Sequence, residues 1–247
     1  MLQFNTDKCK VMHMGRHNPG YEYHMDGTAL GTTEVEKDLG IYITPDLKTA
    51  TQVAKAAAKA NSVLGRIKNS FTFMDKDMFL ALYKTLVRPH MEYCVQAWSP
   101  YLRKDIDVLE KVQRRATKLV PILRELPYEQ RLQTLGLTSL ETRRVRGDML
   151  ETYKILHGFE NIDYTQFFQL VPRHGPGIST RGHSYKLKKT RFRTRKRGNF
   201  FDARVVNKWN SLPENVVCSP CINSFKNNYD RYMEDAQRRG TPMSHAP

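Results

Sequence analysis

Long apolar runs are missing from this sequence: no stretch of about 18 apolar residues could form a membrane-spanning helix, and MLQFNTDKCK at the N-terminus has no apolar signal core. A soluble, intracellular protein with no membrane partner is expected. Cysteine is scarce too. Cys9, Cys94, Cys218 and Cys221 are too few in 247 residues for a disulfide scaffold, so reduced thiols are expected. Also absent are a Gly-rich phosphate loop, a Gly-x-Ser-x-Gly elbow and an Asp-Asp pair of the kind a two-metal polymerase site needs. Asp75/Asp77 and Asp105/Asp107 remain, but each pair lies at a predicted helix start, where capping accounts for it. Cys218-Ser219-Pro220-Cys221 has the spacing of half a zinc site, yet no second pair follows and His245 stands alone in the tail. Cys9, His13, His17 and His24 are spread over strand and turn. No metal and no cofactor is expected.

What is abundant is positive charge. Forty Lys plus Arg against 25 Asp plus Glu leave a net +15, a surplus suited to phosphates or anionic lipid. Nine of these cations and no acid fall between Arg181 and Phe200. Within that stretch Lys186, Lys188, Lys189, Arg191, Arg193, Arg195, Lys196 and Arg197 surround Phe192. Such a mixture suits phosphate contacts by guanidinium forks plus one stacking ring. Residues 186–197 would serve equally as a nuclear-import patch or a solvated charge run.

The predicted fold class is α+β, mostly α. Residues 9–14, 21–25 and 39–43 read as strands, separated by Asn18-Pro19-Gly20 and Asp26-Gly27. Three strands with no helix between them form a small antiparallel unit, 1–45, whose exposed face needs something to pack on. Helices are predicted over 46–69, 75–97 with a kink at Pro89, 104–123, 127–134 and 139–157. Their expected starts are Thr44-Pro45-Asp46, Asp75 and a Thr138/Glu141 capping box. Residues 46–158 form a bundle, 159–199 a linker and basic segment, 200–235 a second helical segment and 236–247 a disordered tail.

At 100° per residue, Ile106, Leu109, Val112, Ala116, Leu119, Val120 and Leu123 share one face of the 104–123 helix. Lys111, Arg114, Arg115 and Lys118 lie opposite. The 139–157 helix repeats this, with Val145, Met149, Tyr153 and Leu156 set against Arg143, Arg144 and Lys154. Tyr83, Tyr93, Trp98 and Tyr101 crowd one region, where core packing is the usual role of such a set and base stacking the alternative.

Several segments, read as text, resemble the C-terminal part of LINE-type (non-LTR) retrotransposon reverse transcriptases. They are FNTDKCKVMHMG (4–15), EKDLGIYIT (36–44), ALYKTLVRPHMEYCVQAWSP (81–100), LEKVQRRATKLV (109–120), the stretch from Tyr128 to Ile155, and FFDARVVNKWNSLPENVV (200–217). The resemblance implies a palm edge with a primer-grip-like hairpin through Ile43, then a helical thumb. It makes Lys111, Arg114, Arg115, Lys118, Arg143 and Arg144 candidate backbone contacts to RNA or an RNA/DNA hybrid. It also implies a fragment of an RNA-directed DNA polymerase without the catalytic Asp-Asp motif, fingers or endonuclease. Such a fragment is not an enzyme on its own, needs Mg only in a complete polymerase, and has the missing catalytic half as a candidate partner. Two alternatives remain open: a coding relic without a role, and a domesticated adaptor that binds a protein.

Overall fold

The computed structural model describes residues 4–15, 17–172 and 182–239. Alternating residues and turn signals give strands first, but short ones: β1 (Lys10–Val11), β2 (His24–Met25), β3 (Thr28–Ala29), β4 (Gly31–Thr32), β5 (Glu36–Asp38) and β6 (Ile41–Ile43). These form three separate pairs, β1 with β4 parallel, β2 with β3 and β5 with β6 antiparallel. The α+β, mostly α class holds, with short N-terminal strands before the helices; they lie in three separate pairs, two of them antiparallel, rather than in one unit. Strands of two or three residues cannot extend one ladder across several neighbours, and between Phe4 and Gly40 no described residue is buried.

Both hairpins turn on paired positive φ angles, Asp26 (50°) with Gly27 (77°) and Leu39 (44°) with Gly40 (87°), which match the twist of the flanking strands. The β5/β6 hairpin is fastened to the helices that follow. The Tyr93 hydroxyl donates to the Leu39 carbonyl at 3.2 Å, and the Tyr42 amide donates to Gln52 Oε1 at 3.0 Å.

Helix α1 (Ala50–Ser70) starts later than Thr44-Pro45-Asp46 suggested. Asp46 instead closes a turn: its Oδ1 accepts from the Thr44 hydroxyl (2.9 Å) and the Lys48 amide (3.1 Å), and Leu47 takes a left-handed φ of 51°. The Lys48 ammonium above all, with those bonds, holds the Asp46 carboxyl down at about 2. The buried stripe of α1, Val53, Ala56, Ala57, Ala60, Val63, Leu64 and Ile67, has the helical period, and its small alanines let α5 (Arg103–Ala116) approach closely. Asp75 caps α2 (Lys76–Leu82) as expected, accepting from the Met78 amide at 2.8 Å.

The predicted kink at Pro89 takes the form of a π-helical turn, Tyr83–Val87, before α3 (Pro89–Glu92). A wider turn relieves the clash of the proline ring with the preceding turn, and the Arg88 amide donates to the Tyr83 carbonyl five residues back at 2.9 Å. Cys94, with φ 51°, then breaks α3 from α4 (Val95–Trp98). Helix α6 (Tyr128–Leu135) and α7 (Leu140–Leu156) follow. Ser139, not Thr138, caps α7, its hydroxyl accepting from the Thr142 amide at 3.1 Å.

The chain divides into two compact units between Thr142 and Arg143, inside α7, rather than after Gly158. Each has its own core. In the first, the stripe of α1 meets Leu109, Val112 and Ala116 of α5, with Phe79, Tyr83, Val87, Met91 and Trp98. The second is rich in aromatics: Tyr153, Phe168, Trp209, Phe225 and Tyr229. Its elements after α7 are α8 (Arg195–Gly198), α9 (Phe201–Arg204), α10 (Val206–Asn210), α11 (Glu214–Val217) and α12 (Ile222–Arg238). The 159–199 region is not simply a linker, since Phe168 and Leu187 are buried in this core. The linker composition at 173–181 and the tail from 240 lie outside the described residues. No helix among the described residues is long and apolar enough to cross a membrane.

Candidate nucleic-acid interface

In α5 the expected division of faces holds for most positions. Ile106, Leu109, Val112 and Ala116 are buried, with Val120 and Leu123 beyond the helix end, while Leu119 is half-buried. Lys111, Arg114, Arg115 and Lys118 are exposed. Arg114 lies over the Tyr128 ring, 4.2 Å from its centroid, and 4.0 Å from Glu129; Arg115 donates to Asn61 Oδ1 at 2.7 Å. Lys111 and Lys118 have no ion pair among the described residues.

The inner face of α5 also holds two polar residues, Gln113 within the apolar arc and Glu110 at its edge. Gln113 is fully buried and Glu110 nearly so. The Gln113 amide nitrogen donates to the Tyr128 hydroxyl (2.8 Å) and the Thr138 carbonyl (3.0 Å), while its oxygen accepts from the Tyr83 hydroxyl (2.5 Å). Glu110 accepts from the Tyr128 hydroxyl and, at 3.1 Å, from the Leu140 amide. Burial, then the Glu110 carboxylate, pushes the Tyr128 phenol far up; burial does the same to Tyr83. A closed set of this kind is stable only when every member is bonded.

Arg131 is a buried cation of the same unit. Its guanidinium donates to Thr117 Oγ1 (3.0 Å) and to the carbonyls of Leu126 (3.1 Å) and Arg114 (3.3 Å), the last at the C-terminal turn of α5. Asp107 pairs with Arg103 at 3.0 Å, whereas Asp105 is buried in the first turn of α5 and is not its cap; Leu102 holds the cap position.

The basic face expected for α7 is corrected. Arg144 is only 3% exposed and Arg143 half-buried. Leu140, Arg144, Asp148 and Thr152 recur every fourth residue along a wide buried stripe that also takes in Met149, Tyr153 and Leu156. Lys154 pairs with Glu160 at 2.8 Å and Glu151 at 3.4 Å. Arg146 meets Asp230 through two bonds (2.6 and 2.7 Å), and Arg204 meets Asp148 in the same way (2.8 Å each). These are paired, geometrically fixed guanidinium groups.

The basic segment is held at both ends. Leu187 is buried, and the Asn210 side chain bonds its amide and its carbonyl, each at 2.8 Å. The Lys186 carbonyl and Lys188 amide pair with Val171 and Gln169 at 2.8 and 2.7 Å. Lys186 itself lies half-buried over Gly182, where a Cβ would stand 2.3 Å from its side chain. At the far end Thr194 caps α8, and the Arg197 guanidinium forks onto the Asp202 carboxylate and over the Phe200 ring. Arg197 is therefore occupied within the unit, whereas Lys188, Lys189, Arg191, Arg193, Arg195 and Lys196 are exposed.

Of the aromatic set, Tyr83 and Trp98 are buried in the core and Tyr93 is 59% exposed. Cys218 bonds Glu214 Oε1 at 3.2 Å, and Cys221 caps α12, accepting from the Ser224 amide. Among the described residues no group of three or more His, Cys, Asp or Glu could hold a metal ion; His245 lies outside them. Compared with protein-family models, with curated proteins and with solved structures, the chain finds no match in any of the three.

Proposed function

We propose that the chain is a nucleic-acid-binding part of a LINE-type reverse transcriptase, gripping RNA or an RNA/DNA hybrid through its backbone. The observation that carries this reading is the outer face of α5 and of the 3-10 turn that continues it (Thr117–Leu119), where Lys111, Arg115 and Lys118 are exposed with no carboxylate partner among the described residues. Cations one helical turn apart, on a helix whose inner face is fixed by packing and buried hydrogen bonds, suit the regular spacing of phosphates and carry no base readout. The exposed cations from Lys188 to Lys196 supply a second stretch of the same chemistry. In this reading the first unit contributes a thumb-like grip, and catalysis belongs to palm residues outside this chain.

Fluorescence anisotropy of the chain with an RNA/DNA hybrid and with single-stranded RNA, titrated across salt, tests it. Binding should weaken steeply as salt rises, and K111Q/R115Q/K118Q should flatten the slope by roughly 0.7–0.9 per lost phosphate contact. Failure of the folded chain to bind either ligand at low salt would refute the proposal.

A further inference from the structure

We propose that the loop of the second unit around Phe192 is a seat for one unpaired nucleotide, with the base on the Phe192 ring and the flanking phosphates on Arg191 and Arg193. This rests on the nucleic-acid reading above and deepens it. Phe192 stands in the middle of the most basic stretch of the chain, yet half of it is exposed, and it lines a small pocket of about 250 Å³. The ring is seated rather than loose. Its Cε2 and Cζ atoms lie 2.4 and 2.7 Å from where a Cβ on residue 198 would stand, so only glycine there admits the ring in this position.

The rest of the pocket is equally fixed. Arg197 is clamped by Asp202 and lies over Phe200, so it forms a wall in which the acid is already neutralised. The exposed cations that also line the pocket are Arg191 and Arg193. An aromatic face framed by two guanidinium groups matches a nucleotide, whose base offers a flat π surface and whose phosphates offer oxygens for the forks. A base inside a duplex has both faces already stacked and cannot reach such a ring, so the ligand class is single-stranded RNA or DNA, or an unpaired end.

The test compares a labelled single-stranded oligonucleotide with a hybrid duplex of equal length, using the full chain and charge-preserving variants. F192L removes the ring, and G198A keeps the ring but evicts it from its seat. Loss of one base stack lowers affinity by roughly five- to 150-fold. The expected result is a fall of about that size in the ratio of single-strand to duplex affinity in both variants, with the salt slope unchanged and F192W restoring the ratio. A 2-aminopurine base in the single strand should be quenched by the wild type and not by F192L. An unchanged ratio while the wild type binds both ligands would overturn the seat alone. Absence of binding to either ligand would overturn the nucleic-acid reading and the seat with it.

Discussion

Helices α5 and α7 carry the same kind of sequence pattern, cations interleaved with an apolar stripe, and put their cations to different uses. On α5 and the 3-10 turn that follows it, Lys111, Arg115 and Lys118 are exposed without a carboxylate partner among the described residues. Along α7, Arg144 is buried, Arg146 is forked onto Asp230 and Lys154 is paired with Glu160. The acid that holds Arg146 is 84 residues away in the chain, and the Arg204–Asp148 pair spans 56. Net charge therefore says little about which cations can meet a phosphate. What decides it is where the fold brings the acids.

The largest effect that would break this contrast is on stability. Asp148 and Arg204 are both mostly shielded from water, with side-chain exposures of 8% and 16%. D148N should leave the guanidinium buried without its counter-charge and cost about 3 kcal/mol, whereas K111Q should stay within about 0.5 kcal/mol of the wild type. Urea denaturation of the two variants checks this, and equal midpoints would show that the two kinds of cation are energetically alike.

Acid should act on the second unit through its histidines. Burial, chiefly, holds the pKa of His183 and of His157 below the ordinary 6.5. The unfolded chain then binds the extra proton first, so this contribution is intact above about 6.5 and is lost as pH falls towards the depressed folded-state values. Melting temperature should drop between pH 7 and pH 5, and less so in H183Q. The same drop in both proteins would remove His183 from the account.

The smallest effect separates two exposed thiols. The Ser224 hydroxyl and amide lower the Cys221 pKa at the start of α12. Iodoacetamide should therefore alkylate Cys221 faster than Cys94 near neutral pH, and S224A should narrow the gap, as followed by peptide mass spectrometry.

Much of the first unit was legible because its signals are local. The stripe of α5, the Asp75 cap and the Asp26-Gly27 turn all act over a few residues. What escaped depends on distant partners. Asn210 fixes Leu187 across 23 residues, and Asp148 makes room for Arg204 on a stripe that sequence periodicity assigned to apolar groups alone. The start of α1 was misplaced because Thr44 and Asp46 can close a turn as readily as they cap a helix. At the candidate interface the exposed cations of α5 were foreseen. The burial of Arg144 and the engagement of Arg197 by Asp202 were not, because neither follows from helical spacing.

Gln113 has a consequence beyond its hydrogen bonds. Its amide meets Tyr83, Tyr128 and Thr138, groups from three different places around α5, so it acts as an angular index for that helix. A greasy stripe alone tolerates some rolling about the axis. Slipping by one residue turns the helix through about 100°, enough to swing Lys111 and Lys118 away from their outward bearing. The compass heading of the surface charges is thus set from the inside, by one uncharged side chain that no ligand would touch.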